Sequence, residues 1–241
     1  MAKCLAIIPA RGGSKRIPRK NIKKFCGQPI IKYSIDAAIK SNCFDEVMVS
    51  TDDKDIADVA KKCGAKIPFY RSEKNSNDFA ILTDVIEEVV LEYKKRNIVF
   101  DYVCCILATV PFLKRERLIN GLSLLMQHGA DAVVPVALFG YPIQRALKIS
   151  NEKIEMFWPE NYTVRSQDLV PAYHDAGQFY WINVKTFFKQ KKIFAGNTFS
   201  LILPEIEVQD IDTYQDWIIA ENKYLYIKNK GVHYDYTKSS F

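Results

Sequence analysis

Two short stretches of this 241-residue chain carry residue types and spacings suited to phosphate chemistry. The first is Pro9-Ala10-Arg11-Gly12-Gly13-Ser14-Lys15, continuing to Pro18-Arg19-Lys20-Asn21. Glycines let backbone N–H groups approach and face an anion; arginine and lysine supply countercharge. Arg11, Lys15, Arg16, Arg19, Lys20, Lys23 and Lys24 crowd residues 11–24, which hold no acidic residue. The whole chain carries only +6, so outside this loop it is close to neutral. Such a local concentration suits a small polyanion better than a nucleic-acid footprint along a face. The spacing matches neither G-x-x-x-x-G-K-[ST] nor G-x-G-x-x-G. On charge alone, a solvated basic turn is an equal reading.

The second stretch is Gln209-Asp210-Ile211-Asp212-Thr213. In extended chain, residues i and i+2 point the same way, so both carboxylates face one side while Ile211 turns inward. Two convergent carboxylates, completed by phosphate oxygens and water, suit Mg2+. The alternative is that Asp212 caps the following helix. His174 stands in a dense polar run and reads either as a ligand contact, a base or a packed, hydrogen-bonded side chain. His128 precedes Gly129 at a helix end, where its charge suits the dipole. The six cysteines form no C-x-x-C pair and read as buried reduced thiols of a cytoplasmic protein.

The elements that must position these groups follow from periodicity. Residues 4–8 read as a buried strand, 46–50 as a second, 66–70 as a short third, 102–108 as a central strand and ADAVVPV as the next. Between them fall amphipathic helices. Pro29 fits the first turn of one, with Ile31, Ile35 and Ile39 on one face. Thr51 or Asp52 caps a second, with Ile56, Val59 and Ala60 inward and Gly64 at its end. Thr83 or Asp84 caps a third, and Leu118, Leu122 and Leu125 mark a fourth. The alternation predicts a mainly parallel sheet with helices on both faces. Ligands of such sheets bind at the carboxyl ends of strands, where the basic loop leaves the first one.

After Gly140 the texture changes. RALKI and KIEMF predict a hairpin turned at Ser150-Asn151, and 158–173 an arm that packs on a partner subunit. FYWINV and SLILPEIEV return to strand. Thr213 and Asp216 predict a capping box for a last helix carrying Trp217, Ile218 and Tyr224. Gln178 and Tyr180 alternate, so the two share one face, read as open. Residues 1–228 read as one domain with 141–176 as its hairpin and arm insertion, and 229–241 as a frayed tail. At 48% hydrophobic and 26% charged residues, the core needs no disulfide or structural metal. No apolar run is long enough for a membrane span, and the first residues lack the layout of a secretory signal.

A-R-G-G-S-K-R-I-P-R-K-N after an apolar strand resembles the signature of the cytidylyltransferases that activate sialic-acid-like sugars. V-S-T-D-D-K-D-I-A-D-V-A at 49–60, R-S-E-K at 71–74 and D-I-D at 210–212 follow in that family's order. The resemblance implies an α/β nucleotide-diphospho-sugar transferase-like three-layer sandwich with a small dimerisation lobe, and a homodimer. It implies CMP transfer from CTP to an acidic nine-carbon sugar, with Mg2+, for glycosylation of bacterial surface or flagellar structures. By position, Arg11, Gly12, Gly13, Ser14, Lys15, Lys20 and Asn21 would hold the triphosphate and Arg71 would lie near the cytosine. Asp210 and Asp212 would ligate the metal, and these two with Arg11 and Lys20 form the catalytic set. Arg165 falls where an arginine faces the sugar. The sialic acid branch reads L-Q-P-T-S-P on its central strand, where this chain has Leu107-Ala108-Thr109-Val110-Pro111. A-T-V-P-F and Y-H-D-A-G-Q-F-Y-W are similar instead to the branch that takes pseudaminic acid, with sialic or legionaminic acid as the alternative acceptor. Thr109, Arg165, His174, Gln178 and Tyr180 are the candidate sugar contacts.

Overall fold

A computed structural model describes residues 2–230, except 78 and 195. In chain order the strands and helices are β1 (Cys4–Pro9), β2 (Lys24–Phe25), β3 (Gln28–Pro29), α1 (Ile30–Ser41), β4 (Glu46–Ser50), α2 (Lys54–Lys62), α3 (Leu82–Lys95), β5 (Tyr102–Ile106) and α4 (Arg115–Gln127). There follow β6 (Ala132–Leu138), β7 (Leu147–Ser150), β8 (Lys153–Met156), β9 (Tyr173–Asp175), β10 (Phe179–Asn183), α5 (Val184–Gln190), β11 (Thr198–Ile202) and α6 (Tyr214–Lys230).

The central sheet runs β11-β6-β10-β5-β1-β4, with β9 paired to the end of β6. β4, β1 and β5 are parallel, as are β6 and β11; β10 and β9 run against their neighbours. The continuous apolar runs of β1 and β5 are explained by burial on both faces, since Leu5, Ala6, Ile7, Cys104 and Cys105 are all at 0% exposure. On one face the sheet packs against α1, α2 and α4 through Ile31, Ile35, Ile56, Ala60, Leu118 and Leu125. On the other it packs against α3 and α5 through Val85, Ile86, Val89, Tyr93 and Phe187. A third cluster joins Ile17 and Phe25 of the basic loop to Ile211, Trp217 and Ala220. Phe25 meets the edges of Trp217 and Tyr224 at 5.5 and 5.6 Å.

Several local expectations are corrected. The stretch 66–70 makes only a bridge from Lys66 to Met48, because Pro68 has no N–H with which to extend a ladder. Asp53, not Thr51 or Asp52, caps α2, accepting the Ile56 N–H at 2.9 Å. Helix α3 starts at Leu82, ahead of Thr83, and Asp84 reaches back to the Ile81 N–H at 3.3 Å. The hairpin turns on Asn151-Glu152, both at positive φ, rather than on Ser150-Asn151. β11 ends before Pro204, and 205–207 form a 3-10 turn instead of strand. Ile39 and Ile218 face solvent; Ile30 and Ala220 take the buried positions. The capping box holds: Asp216 accepts the Thr213 N–H at 2.7 Å and Thr213 Oγ1 accepts the Asp216 N–H at 3.2 Å. All six cysteines are free, with Cys4, Cys104 and Cys105 buried and the other three partly exposed. His128 does close α4, and its ring stacks on Phe199. α6 runs on to Lys230, past the expected start of the tail; 231–241 lie outside the described residues. No helix of the described residues is long and apolar enough to cross a membrane.

Gly121 lets α4 lie close on β10. A Cβ there would stand 2.7 Å from Trp181 Cδ1 and 3.1 Å from Phe179 Cε2, both in fully buried rings. Gly121→Ala gains about 1 kcal/mol in helix propensity but overpacks the core by about 1–3 kcal/mol. The net expectation is a loss of about 1 kcal/mol, measured as a lower urea midpoint; a raised midpoint would refute this packing.

Candidate active site

The parallel neighbours of β1 are β4 on one side and β5 on the other. The carboxyl ends of β1 and β5 therefore lie side by side, and the loops that leave them border one space. A cleft of about 580 Å³ lies there, within the range of small-molecule sites. Arg11, Gly13, Ser14, Lys15, Arg16, Lys20 and Asn21 line it from the first loop, Leu107, Ala108 and Thr109 from the β5 loop, and Asp212 from the far end of the chain. Arg71 and the apolar side chains of Ile81, Leu82 and Val85 complete the walls.

The basic loop is held in shape by specific bonds. The Asn21 side chain donates to the Arg11 carbonyl at 2.9 Å, closing the loop on itself. Arg19 adopts the left-handed conformation, with φ at 58°, and its guanidinium reaches Asp53 at 2.6 Å and Asp55 at 2.7 Å. The Gly12 N–H donates to Asp52 at 3.2 Å, and a Cβ on Gly12 would meet Asp53 Oδ2 at 2.6 Å. Gly12 is thus a close-packing position and does not line the cleft. Arg19 and Lys23 also leave it, Arg19 for the start of α2 and Lys23 for the rings of Tyr214 and Trp217.

The acidic stretch joins this loop from the other end of the chain. Ile211 is 1% exposed, in the same cluster as Ile17. Lys20 Nζ donates to the Ile211 carbonyl at 2.7 Å and lies 3.4 Å from Asp212 Oδ1, while Arg16 pairs with Asp212 Oδ2 at 2.7 Å. Asp210 is exposed and is not among the residues lining the cleft. Arg71 is 8% exposed; it donates to the Ser50 hydroxyl at 3.0 Å and also to the Ser50 carbonyl. Burial lowers its pKa, opposed by Asp52, yet a guanidinium stays charged.

The sugar candidates fare differently. Only Thr109 lies in the cleft wall. Arg165 pairs with Asp168 at 2.7 Å on the exposed arm. His174 directs Nδ1 at the Asp175 carbonyl and sets its ring on the Phe139 edge. Gln178 and Tyr180 do not share an open face: they are 3% and 6% exposed. Gln178 donates to the Glu207 carbonyl, and Tyr180 donates to Asp175 at 2.7 Å. Burial and then Asp175 raise the Tyr180 hydroxyl pKa. Arg16, Ile81, Leu82 and Val85 were missed. Arg16 was visible only as one charge among seven, and the apolar three look in sequence like the start of an ordinary helix.

In fold, the chain is that of a nucleotidyltransferase. It is similar to a CMP:2-keto-3-deoxy-manno-octonic acid synthetase solved with CTP, at a TM-score of 0.68 and 17% identity, covering 95% of this chain and 100% of that one. A 4-diphosphocytidyl-2C-methyl-D-erythritol synthase from Anaerococcus prevotii gives 0.62 at 16% identity, covering 93% and 99%. The family model for cytidylyltransferase matches residues 5–215, and the chain belongs to that family. A pseudaminic acid cytidylyltransferase of Campylobacter jejuni is 44% identical over 92% of this chain and 96% of its own length. A CMP-N,N'-diacetyllegionaminic acid synthase of Legionella pneumophila is 32% identical over 90% and 94%.

Asp53 links loop shape to stability. Burial alone would raise its pKa, but the Ile56 N–H and Arg19 hold it below the ordinary carboxylate value. A lowered folded-state pKa stabilises above the unfolded value, near about 4, and that contribution disappears as pH falls through the folded one. Asp53→Asn keeps the cap and loses the ion pair. It should cost about 0.5–1 kcal/mol at pH 7, small because Arg19 is partly solvated. In urea unfolding across pH, the gap to wild type should close below about pH 4; a gap constant with pH would contradict the pairing.

Proposed function

We propose that this chain transfers CMP from CTP to the anomeric hydroxyl of pseudaminic acid, releasing pyrophosphate. The observation that carries this reading is the meeting of Lys20 and Arg16 with Asp212 in the wall of one cleft. The family membership and the 44%-identical relative support the nucleotide and the acceptor.

The reaction is a displacement at the α-phosphorus of CTP by the sugar hydroxyl. Its main physical demand is management of the charge that accumulates on the departing pyrophosphate. Arg11, Lys15, Arg16 and Lys20 present cations to that space from a loop whose path is already set, so little reorganisation is needed as charge develops. Ser14 and the Gly13 backbone line the same wall and offer hydrogen bonds to phosphate oxygens. Arg71, Leu82 and Val85 form a partly apolar wall that suits a base edge.

The donor set fits magnesium. Among the described residues no group of three or more His, Cys, Asp or Glu side chains could hold a metal by itself. Asp212 stands in the cleft wall and Asp210 is exposed two residues before it; one or two such carboxylates, completed by substrate oxygens and water, match the preference of Mg2+ for few protein ligands. Bound there, Mg2+ would polarise the α-phosphate as a Lewis acid. Asp212 already stands between Arg16 and Lys20, so the carboxylate keeps the cationic wall from repelling itself. A homodimer built through the arm at 141–176 and a cytoplasmic setting belong to the same proposal. Exposed Leu147, Ile149, Ile154 and Tyr162 on that arm support the first.

Pyrophosphate release should require CTP and be fastest with pseudaminic acid in a panel that includes N-acetylneuraminic and legionaminic acids. Preference for either of those would transfer the acceptor assignment to them, and no release with any would reject the activity. Lys20→Ala should lower kcat/KM roughly 10²-fold, as for loss of one positioned electrostatic group; near-normal turnover would remove Lys20 from the site. Asp212→Ala should lose magnesium-dependent turnover while its circular dichroism stays native. Turnover with undiminished magnesium dependence would exclude this ligand.

A further inference from the structure

Glu207 is a carboxylate at 4% exposure, three residues ahead of the acidic pair, and nothing in the proposed chemistry uses it. Lys114, at the start of α4, donates to Oε1 at 2.6 Å. Arg117, one turn into α4, donates to Oε2 at 2.9 Å and to Oε1 at 3.1 Å. The Glu207 carbonyl accepts from the buried amide of Gln178, whose own carbonyl accepts the N–H of the cleft residue Leu107 at 2.9 Å. Lys223 of α6 donates to the carbonyls of Glu205 at 2.9 Å and Val208 at 2.7 Å. The turn at 205–208 is therefore fastened from the start of α4, from the residue just ahead of β10 and from α6. A buried carboxylate with charge-assisted bonds to two cations is costly to place there and costly to disturb. A surface turn needs no such anchorage; a segment that must present two aspartates at fixed positions does.

We propose that Glu207 is a positioning residue: clamped by Lys114 and Arg117, it sets the backbone that carries Asp210 and delivers Asp212 to the cleft wall. The inference rests on the proposed nucleotidyl transfer and deepens it by naming the support of its ligands. Outer residues that orient metal ligands typically change affinity by about 10–100-fold when replaced. Asn21 and Asp53 hold the basic loop through its own contacts, while Lys20 and Arg16 meet the acidic stretch at the Ile211 carbonyl and Asp212, so the clamp should act more on metal binding than on the nucleotide.

The test compares wild type with Glu207→Gln and Arg117→Ala in the full chain. Arg117→Ala removes two of the three carboxylate contacts from a side chain with some solvent access, and it carries the test if Glu207→Gln does not fold. Binding of Mn2+ to the CTP-saturated protein is followed by electron paramagnetic resonance, CTP binding in chelator by calorimetry, and folding by thermal unfolding. The expected result is Mn2+ affinity weakened roughly 10-fold or more, with chelator-measured CTP affinity within about twofold of wild type and a cooperative transition retained. Unchanged Mn2+ affinity in a folded variant overturns the proposal, as does an equal loss of CTP and Mn2+ binding. Wild type that binds CTP but shows no Mn2+ site sensitive to Asp212→Ala would refute the metal assignment beneath it. Wild type that binds no CTP would refute the nucleotide reading itself.

Discussion

A single buried side chain, Ile211, decides where the chemistry can occur. Its burial against Ile17, Phe25 and Trp217 brings the stretch 209–213 onto the loop that follows the first strand. With the isoleucine turned inward, Asp212 is directed to the cleft wall, and its preceding carbonyl receives Lys20. Burying a side chain of this size is worth about 1.5–3 kcal/mol. The neighbouring ion pairs are half-solvated and contribute less. Apolar packing therefore carries the assembly of the site, and the ion pairs within it add to that packing.

The cationic wall illustrates how a repulsive arrangement is made stable. Arg11, Lys15, Arg16 and Lys20 face one volume, which like-charge repulsion opposes. The fold answers by spending Arg19 on Asp53 and Asp55 outside the cleft and by lodging Asp212 within it. Asn21 and the tight packing at Gly12 fix the loop without using any of its charge. The result is a loop shaped by uncharged contacts and by charges turned away, with the remaining cations directed inward.

The candidate sugar contacts on and beside β10 are placed by burial rather than by exposure. Gln178, just ahead of β10, and Tyr180 within it alternate with Phe179, yet both are buried. Their polar ends are occupied by the Glu207 carbonyl and by Asp175. The Gln178 carbonyl backs Leu107 by accepting its N–H, while Arg165 stands out on the arm. Leu147, Ile149, Ile154 and Tyr162 leave apolar surface exposed on that arm.

The sequence by itself determined the alternating α/β plan, the place of the basic loop at the carboxyl end of β1, the Thr213–Asp216 box and the inward turn of Ile211. Each rests on local rules: periodicity, composition, capping spacing and strand alternation. It could not settle which of three adjacent residues caps α2, because Thr51, Asp52 and Asp53 are all competent and only the position of Gly12 and Arg19 chooses among them. Nor could it show that Gln178 faces the interior, since strand alternation names two faces without saying which is covered. Only the tertiary structure brought Glu207 to Lys114 and Arg117 across about ninety residues of chain. Partners that distant leave no periodic mark, because their meeting is set by how the layers stack and not by anything along the strand itself.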